Sequence, residues 1–439
     1  MASTVKHLKP NMSSDFYADS EKPKERPKEM NDEFYKQAAK EVYQNAAEEQ
    51  RKEEMTSPND QGTDSQQAPA EPVAPESTLN EEQTASLEEN SVAYSSDYDD
   101  FDFVEAYDDE PASSDQMLPN NTAPSAIKCG FVGVGGGGGK IAKAFLDLGF
   151  SKTLLLNTTE KDQPDGVSEE HFLLLPGADG VGKDIALGKK VLENNGALVE
   201  DTLRTRLGKV DWVFVLACGG GGTGSACHIL QESFERYLKS VGGAGHVVYI
   251  ITKPTAQELL NPTIQTNYES LMTDVALHPH VLIDNEKQLT LLRGKVGMLG
   301  LYPTANRNFA KLLHQVLKLA SENSPIQSFD SKDLERVLST TGRMVIGSTV
   351  ARDVSKTDLG AALYQGCLRS SPCPSPAGRA STGVMLLIVT PQMASDPGVS
   401  KNLEAAFSYV GGRTDTLFSG VYVKQPLPGL IAISVIGGF

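Results

Sequence analysis

Two runs of glycine constrain this chain more than any other feature. The first, Gly135 to Gly139, follows the apolar stretch Ile127 to Val134 and leads into a helical pattern from Lys140. The second, Gly219 to Gly222, follows Trp212 to Ala217 and Cys218, then continues as Thr223, Gly224, Ser225 and Ala226 into another helical pattern. A glycine in ordered structure costs roughly 1 kcal/mol relative to alanine, so runs of this length need a compensating gain. A ligand lying against bare backbone supplies one, because amides at a helix N-terminus bind phosphate and absent side chains let it approach. Gly133, Gly135 and Gly138 also satisfy G-x-G-x-x-G, a pattern shared with dinucleotide-binding enzymes. A Walker P-loop is excluded, since Val134 stands where its first glycine belongs and Ile141 where it needs Ser or Thr. Either run alone could be a flexible turn. Two of them about 85 residues apart exceed what one pyrophosphate needs, and suit a triphosphate held between two helix N-termini.

The surrounding texture agrees. Ile127 to Val134, Thr153 to Asn157, Trp212 to Ala217 and Val247 to Thr252 read as short buried strands, with helical patterns at Lys140 to Leu148, Lys183 to Glu193 and Ala226 to Ser240 between them. This alternation predicts an α/β fold with a doubly wound parallel sheet and ligand loops at the carboxyl ends of its strands. Asn306 to Glu322 reads as a longer helix with Phe309, Leu312, Leu313, Val316, Leu317 and Ala320 on one face. Beyond it a helix over Ser331 to Thr340 and strands Gly383 to Thr390, Gly420 to Lys424 and Leu430 to Val435 predict a smaller α+β domain. The expected division is 1–126, 127–323 and 324–439.

Residues 1–126 differ in kind. They hold 10 Lys and Arg against 29 Asp and Glu and one of the 40 glycines, whereas the rest of the chain holds 30 against 28. Composition predicts a disordered acidic tail, since too little apolar surface is available to offset chain entropy. Within it, 29–55 carries an apolar stripe through Phe34, Ala38, Val42 and Ala46, and 95–110 sets aromatics among carboxylates; both read as candidate partner-binding segments. The absence of a basic cluster argues against direct nucleic-acid binding. No apolar run reaches the ~18 residues of a transmembrane span, and with no signal-peptide pattern a cytoplasmic protein is expected. Cys129, Cys218, Cys227, Cys367 and Cys373 are odd in number and lack metal-ligand spacing, as expected of reduced thiols. His228, His278, His280 and His314 show no metal spacing either.

At the glycine runs the chain resembles the tubulin and FtsZ superfamily of polymerising GTPases. Gly133 to Lys140 (GVGGGGGK) is similar to the first nucleotide loop of FtsZ, and Gly219 to Ala226 (GGGGTGSA) to the tubulin signature loop. The likeness continues in order through LLNTTEKD (155–162), VVYIITKPTAQE (247–258), LIDNEKQL (282–289), YPTAN (302–306) and SFDSKDLERVLSTTGRMVIGS (328–348), and covers 127–439. It implies GTP or GDP as ligand with Mg²⁺ bridging phosphates, and a binding set of Gly135, Gly136, Gly137, Gly138, Gly139, Lys140, Asn157, Gly220, Gly221, Gly222, Thr223, Gly224 and Ser225. Glu258 would meet the ribose, and Tyr302 and Asn306 the guanine. It also implies head-to-tail self-assembly, in which Asp330 and Asp333 complete the neighbour's active site. Departures are Lys140 for the usual Asn, Thr159 for Asp, Ser328 for the first Asn of the catalytic loop, Ala226 for the last signature glycine, and Pro262 for an Arg. No adaptor peptide is expected beyond Phe439. Three functions stay open at this point: an assembly-dependent GTPase, a non-hydrolysing structural protein of the same fold, and an NAD-type oxidoreductase, which leaves the second glycine run unexplained.

Overall fold

The computed structural model describes residues 117–243, 246–355, 358–376 and 378–439, all within the compact unit Pro75–Phe439. The tail segments 29–55 and 95–110 lie outside these residues. Ten strands form one sheet: β1 (Cys129–Val134), β2 (Thr153–Asn157), β3 (Phe172–Leu174), β4 (Trp212–Cys218), β5 (His246–Lys253), β6 (His280–Asp284), β7 (Arg343–Ala351), β8 (Ala380–Val389), β9 (Thr414–Val423) and β10 (Leu430–Gly437). Their spatial order is β3-β2-β1-β4-β5-β6-β7-β10-β8-β9. Pairing is parallel from β3 to β7, antiparallel where β10 meets β7 and β8, and parallel again between β8 and β9. The β6–β7 junction rests on two register pairs, His280↔Arg343 and Val281↔Met344.

Because both faces of a parallel sheet are covered, its strands are apolar throughout rather than alternating. β4 shows the consequence: Trp212, Phe214 and Leu216 enter one core, and Val213, Val215 and Ala217 the other. The first core holds a stack in which Phe131 lies 4.1 Å from Phe145 and 5.1 Å from Phe214, ring centre to ring centre. It runs on through Phe309, Leu313, Val316 and Leu317 into Met344, Leu386 and Ile433 of the carboxyl-terminal strands. The long helix therefore joins the two halves, as its apolar stripe predicted.

Its boundaries differ from the sequence reading. The helix spans Leu301–Leu319 and starts five residues before Asn306, because Pro303 sits in the first turn, where a missing N–H costs nothing. The first glycine run is a second correction: Gly135–Leu146 is one helix (α1), so the run opens a helix, with Gly136 to Gly139 inside it, and is not a loop. The helix expected over Ala226 to Ser240 is broken into Gly222–Ser225 (α2), a tight turn at Cys227–Leu230 and Gln231–Ser240. We label the long helix Leu301–Leu319 α3 and the helix Ser331–Leu338 α4.

Residues 117–126, grouped by composition with the tail, pack on the fold. Leu118 and Ala123 are buried, Leu118 N–H donates to the Arg206 carbonyl at 2.8 Å, and Ala126 N–H donates to the Leu317 carbonyl at 3.0 Å. The Asn121 amide donates to the Cys129 carbonyl and accepts from Lys152 N–H, each at 2.8 Å.

Candidate functional site

The strand order reverses at β1, with β2 on one side and β4 on the other. Ligands of open α/β sheets bind at such a switch point, outside the carboxyl ends of the strands. Both glycine runs start there, since Val134 and Ala217 are register partners.

The glycines divide by what lies over them. A Cβ on Gly138 would collide with the Leu216 carbonyl oxygen, one on Gly137 with Cys218 Sγ, and one on Gly139 would lie 3.2 Å from Leu155. These three let α1 lie directly on β4 and β2. Gly135 has φ +72°, and its Cβ would stand 2.9 Å from the Gly224 amide nitrogen, so the starts of α1 and α2 touch. Gly222 and Gly224 are likewise crowded by the Asp184 and Cys218 carbonyls. Gly221 is the exception, with nothing within 4 Å of its Cβ position and an ordinary extended φ of −92°. Neither packing nor backbone conformation requires a glycine at this point. Gly220 is nearly as open, its closest neighbour at 3.5 Å.

Polar groups around this opening are under-used. The Ser225 hydroxyl is fully buried and has no hydrogen-bond partner among the described residues. Thr223, also buried, reaches the Thr158 hydroxyl at 3.4 Å. α1 has no side-chain cap and no acidic residue in its first turn, leaving its leading amides without the usual side-chain acceptor. Asn157 keeps its Oδ1 on the Thr158 amide at 2.8 Å and turns Nδ2 toward Asp162 at 3.4 Å. The Asp162 carboxylate stands 2.6 Å from the Cβ position of Gly136. Sequence reading passed over Asp162, which lies three residues beyond the Thr159 position where the family carries an acid. Lys140 is exposed in the second turn of α1.

Three groups gather beside the glycines. Cys218 ends β4 and accepts from the Thr252 hydroxyl at 2.8 Å; burial pushes its thiol up, that hydrogen bond opposes the shift, and the Glu258 carboxylate and Lys140 charge add smaller effects of opposite sign. Tyr302 is half-exposed, its phenol raised first by burial, then by Glu258 and Cys218. Glu258 closes a capping box, its Oε2 accepting from Thr255 N–H at 2.8 Å and the Thr255 hydroxyl at 2.9 Å. Asn306, one turn below Tyr302, makes no side-chain hydrogen bond among the described residues. The contacts of Cys218 with Gly137 and Thr252 are long-range, and no local pattern reveals them.

Asp330 and Asp333 are elsewhere. Asp330 caps α4, accepting from Lys332 N–H at 2.8 Å and Asp333 N–H at 3.0 Å. Burial, and next the Asp330 charge, raise the Asp333 carboxyl above its ordinary value. The neighbouring Phe329 is tied to the far end of α3: its N–H donates to the Tyr422 hydroxyl at 3.1 Å, and that hydroxyl donates to the Leu319 carbonyl at 2.8 Å. Tyr302 and Asn306 occupy the opposite end of α3. Nineteen residues at about 1.5 Å each separate the two ends by roughly 28 Å. The acidic pair and the glycine cradle therefore do not meet within one subunit. Ser328 spends its hydroxyl on the Ser324 amide at 2.9 Å.

No family sequence model and no curated protein matches the chain. Among solved structures it is similar to CetZ2 from Haloferax volcanii in a GTPγS-bound protofilament, with 22% identity over 71% of this chain and 93% of that one and a TM-score of 0.58. It is similar to TubZ of Bacillus thuringiensis serovar israelensis, a GTPγS-form protofilament, with 16% identity over 72% and 89% of the two chains and a TM-score of 0.59. The FtsZ dimer of M. jannaschii gives 18% identity, 71% and 88% coverage and a TM-score of 0.54. Doubly wound half, long connecting helix and carboxyl-terminal strands together make this the fold of the tubulin/FtsZ superfamily, in a divergent form.

Proposed function

We propose that the chain binds GTP at the β1/β4 switch point and hydrolyses it in head-to-tail filaments, where Asp330 and Asp333 of one subunit serve the nucleotide of the next. The observation that carries this reading is the pairing of Gly221, whose Cβ position meets nothing from beyond its chain neighbours within 4 Å, with the buried Ser225 hydroxyl, which has no partner among the described residues, at the touching starts of two helices. Phosphate oxygens suit such a cradle of amides and hydroxyls. In this reading Gly220 to Ser225 and the first turn of α1 hold the phosphates, with Lys140 and Asn157 at its edge. Tyr302 stacks on the guanine and Asn306, its amide uncommitted, pairs with the base edge. Glu258 reaches the sugar only by giving up part of its capping box.

Among the described residues no group of three or more His, Cys, Asp or Glu side chains could hold a metal ion. We assign Mg²⁺ to the nucleotide phosphates, where it would neutralise charge. The chain's own part is positioning: hydrolysis of a γ-phosphate asks mainly for an aligned water and stabilised charge. Two carboxylates arriving from the next subunit would orient that water. Such a contact is heterologous and does not close, so it propagates filaments. Large apolar side chains stand exposed where it would form: Leu260 near the sugar residue, Met298 and Leu299 before α3, and Ile326 beside the acidic loop. The two-domain division, 127–323 and 324–439, is the frame for this contact, each half supplying one side of it. No described helix is long and apolar enough to cross a membrane, and a cytoplasmic filament is the setting we propose.

Phosphate release measured against protein concentration with GTP, ATP and NAD tests the reading. Turnover per subunit should appear above a threshold concentration and only with GTP. Nucleotide binding without turnover at any concentration would favour the non-hydrolysing alternative, toward which the diverted Ser328 hydroxyl points. A narrower expectation concerns the base. Asn306→Ala should reduce the preference for GTP over ATP by about tenfold, the worth of roughly 1.4 kcal/mol, with the fold intact. An unchanged preference would remove Asn306 from base recognition.

A further inference from the structure

A cavity of about 750 Å³ lies away from the glycine helices. It sits against the helix Leu359–Ser370 (α5), and its size falls within the roughly 300–1,000 Å³ of ligand pockets. Lys287, Arg369, Arg379 and Arg413 line it together with Tyr364 and Gln365, and among the described residues no Asp or Glu does. These cations are poorly neutralised. Arg379 binds Asp415 at 2.7 Å, whereas Lys287 donates to the Leu368 and Cys373 carbonyls at 2.9 Å. Arg413 stands 3.6 Å over the Tyr409 ring and 5.8 Å from that of Tyr364. Arg369 is exposed and makes no ion pair among the described residues. Like charges gathered in a concave, partly aromatic site focus a positive field, and in a core whose charges nearly balance they call for a polyanionic occupant.

The same chain carries one. Residues 95–110 hold eight Asp and Glu and no Lys or Arg, interleaved with Tyr98, Phe101, Phe103 and Tyr107. We propose that the cavity beside α5 docks this acidic aromatic segment, its carboxylates against Lys287, Arg369 and Arg413 and a ring against Tyr364. Arginine forks match carboxylates, and an aromatic ring stacks on a guanidinium that already lies over tyrosine. Covalent connection supplies an effective concentration on the order of millimolar wherever the linker spans the distance, so modest affinity suffices. The inference goes beyond the nucleotide reading, and its test contains no nucleotide.

The probe is a fluorescein-labelled peptide of residues 95–110, titrated by anisotropy with two full-length proteins. One is the unmodified chain. In the other the eight acids of 95–110 are replaced by their amides, which removes the internal competitor. The neutralised chain should bind the peptide at least tenfold more tightly than the unmodified one, and less tightly as salt rises. Placing Arg369→Glu in the neutralised chain should weaken binding at least tenfold, and Arg369→Lys should recover much of it. Arg369 is exposed, so this change spares the fold; circular dichroism checks that. Hydrogen exchange gives a second readout: protection of α5 should fall when the eight acids are neutralised. Equal peptide affinity in the neutralised and unmodified chains, or in the Arg369→Glu variant, overturns the proposal. So does a short DNA duplex that binds in an Arg369-dependent way and is unaffected by neutralising the segment, which would make the cavity a nucleic-acid site.

Discussion

An Asp333→Ala subunit is expected to bind GTP as the parent does and to lose hydrolysis by a factor of roughly 10² to 10⁴, the usual cost of removing an oriented acid or base. The expectation rests on distance. The acidic pair lies beyond one end of α3, where the neighbouring Phe329 is tied to Leu319 through Tyr422, and Tyr302 and Asn306, the proposed nucleotide groups, lie at the other. A side chain that far from the candidate cradle of its own subunit should leave binding there unchanged, and under the proposed head-to-tail contact it would face the nucleotide next door. Filaments of the variant should therefore form and persist, because the switch to the diphosphate state is lost.

The pH dependence carries a sign. Asp333 must be ionised to orient water as a base, and its carboxyl is raised above the ordinary 3.8 by burial first and by Asp330 second. The acid limb of the rate profile should accordingly sit above that value. Asp330→Asn keeps a helix-capping side chain but removes the neighbouring charge, so ionisation becomes easier and the limb should move to lower pH on whatever rate remains. Full turnover in Asp333→Ala, or turnover per subunit flat from far below to far above the assembly threshold, would show that hydrolysis is completed within one subunit.

What could be read from sequence follows from where each signal resides. β1, β2, β4 and β5 were legible because strands covered on both faces are unbroken apolar runs, and the α3 stripe because Phe309, Leu313, Val316 and Leu317 recur at helical spacing. The helical state of Gly135 to Gly139 was not legible. Five glycines disfavour a helix locally, and what overrides this is contact with the Leu216 carbonyl and Cys218 Sγ from a strand about 80 residues away. Pro303 hid the first turn of α3 for a related reason: proline signals a stop unless its place in the helix is known. Residues 117–126 look like tail because only Leu118 and Ala123 are buried there, and the rest is held through backbone groups and the Asn121 amide. In the candidate site, open and packed glycines are indistinguishable as letters. Only the atoms over each missing Cβ separate them.

That separation yields the second large effect, a pair of variants with opposite behaviour. In Gly138→Ala the new methyl meets the Leu216 carbonyl oxygen, and also lies 3.0 Å from its carbon and 3.2 Å from Ala217 Cα. All three are backbone atoms of a fully buried strand, so α1 must lift from the sheet. Overpacking of this kind costs about 1–3 kcal/mol and occasionally more, and the melting midpoint should fall by several degrees with or without nucleotide. Gly221→Ala meets nothing within 4 Å and keeps an extended backbone that alanine adopts freely. Its stability should stay within about 0.5 kcal/mol of the parent, or rise slightly, since alanine restricts the unfolded chain. GTP affinity should nevertheless fall at least tenfold, because the methyl occupies the space a phosphate needs to reach the amides. Melting curves and nucleotide titrations on the same two preparations read both effects. If Gly221→Ala binds GTP as tightly as the parent, the phosphates do not lie on this turn and the proposed cradle fails. If Gly138→Ala melts where the parent does, close packing of α1 on β4 is not what requires glycine there.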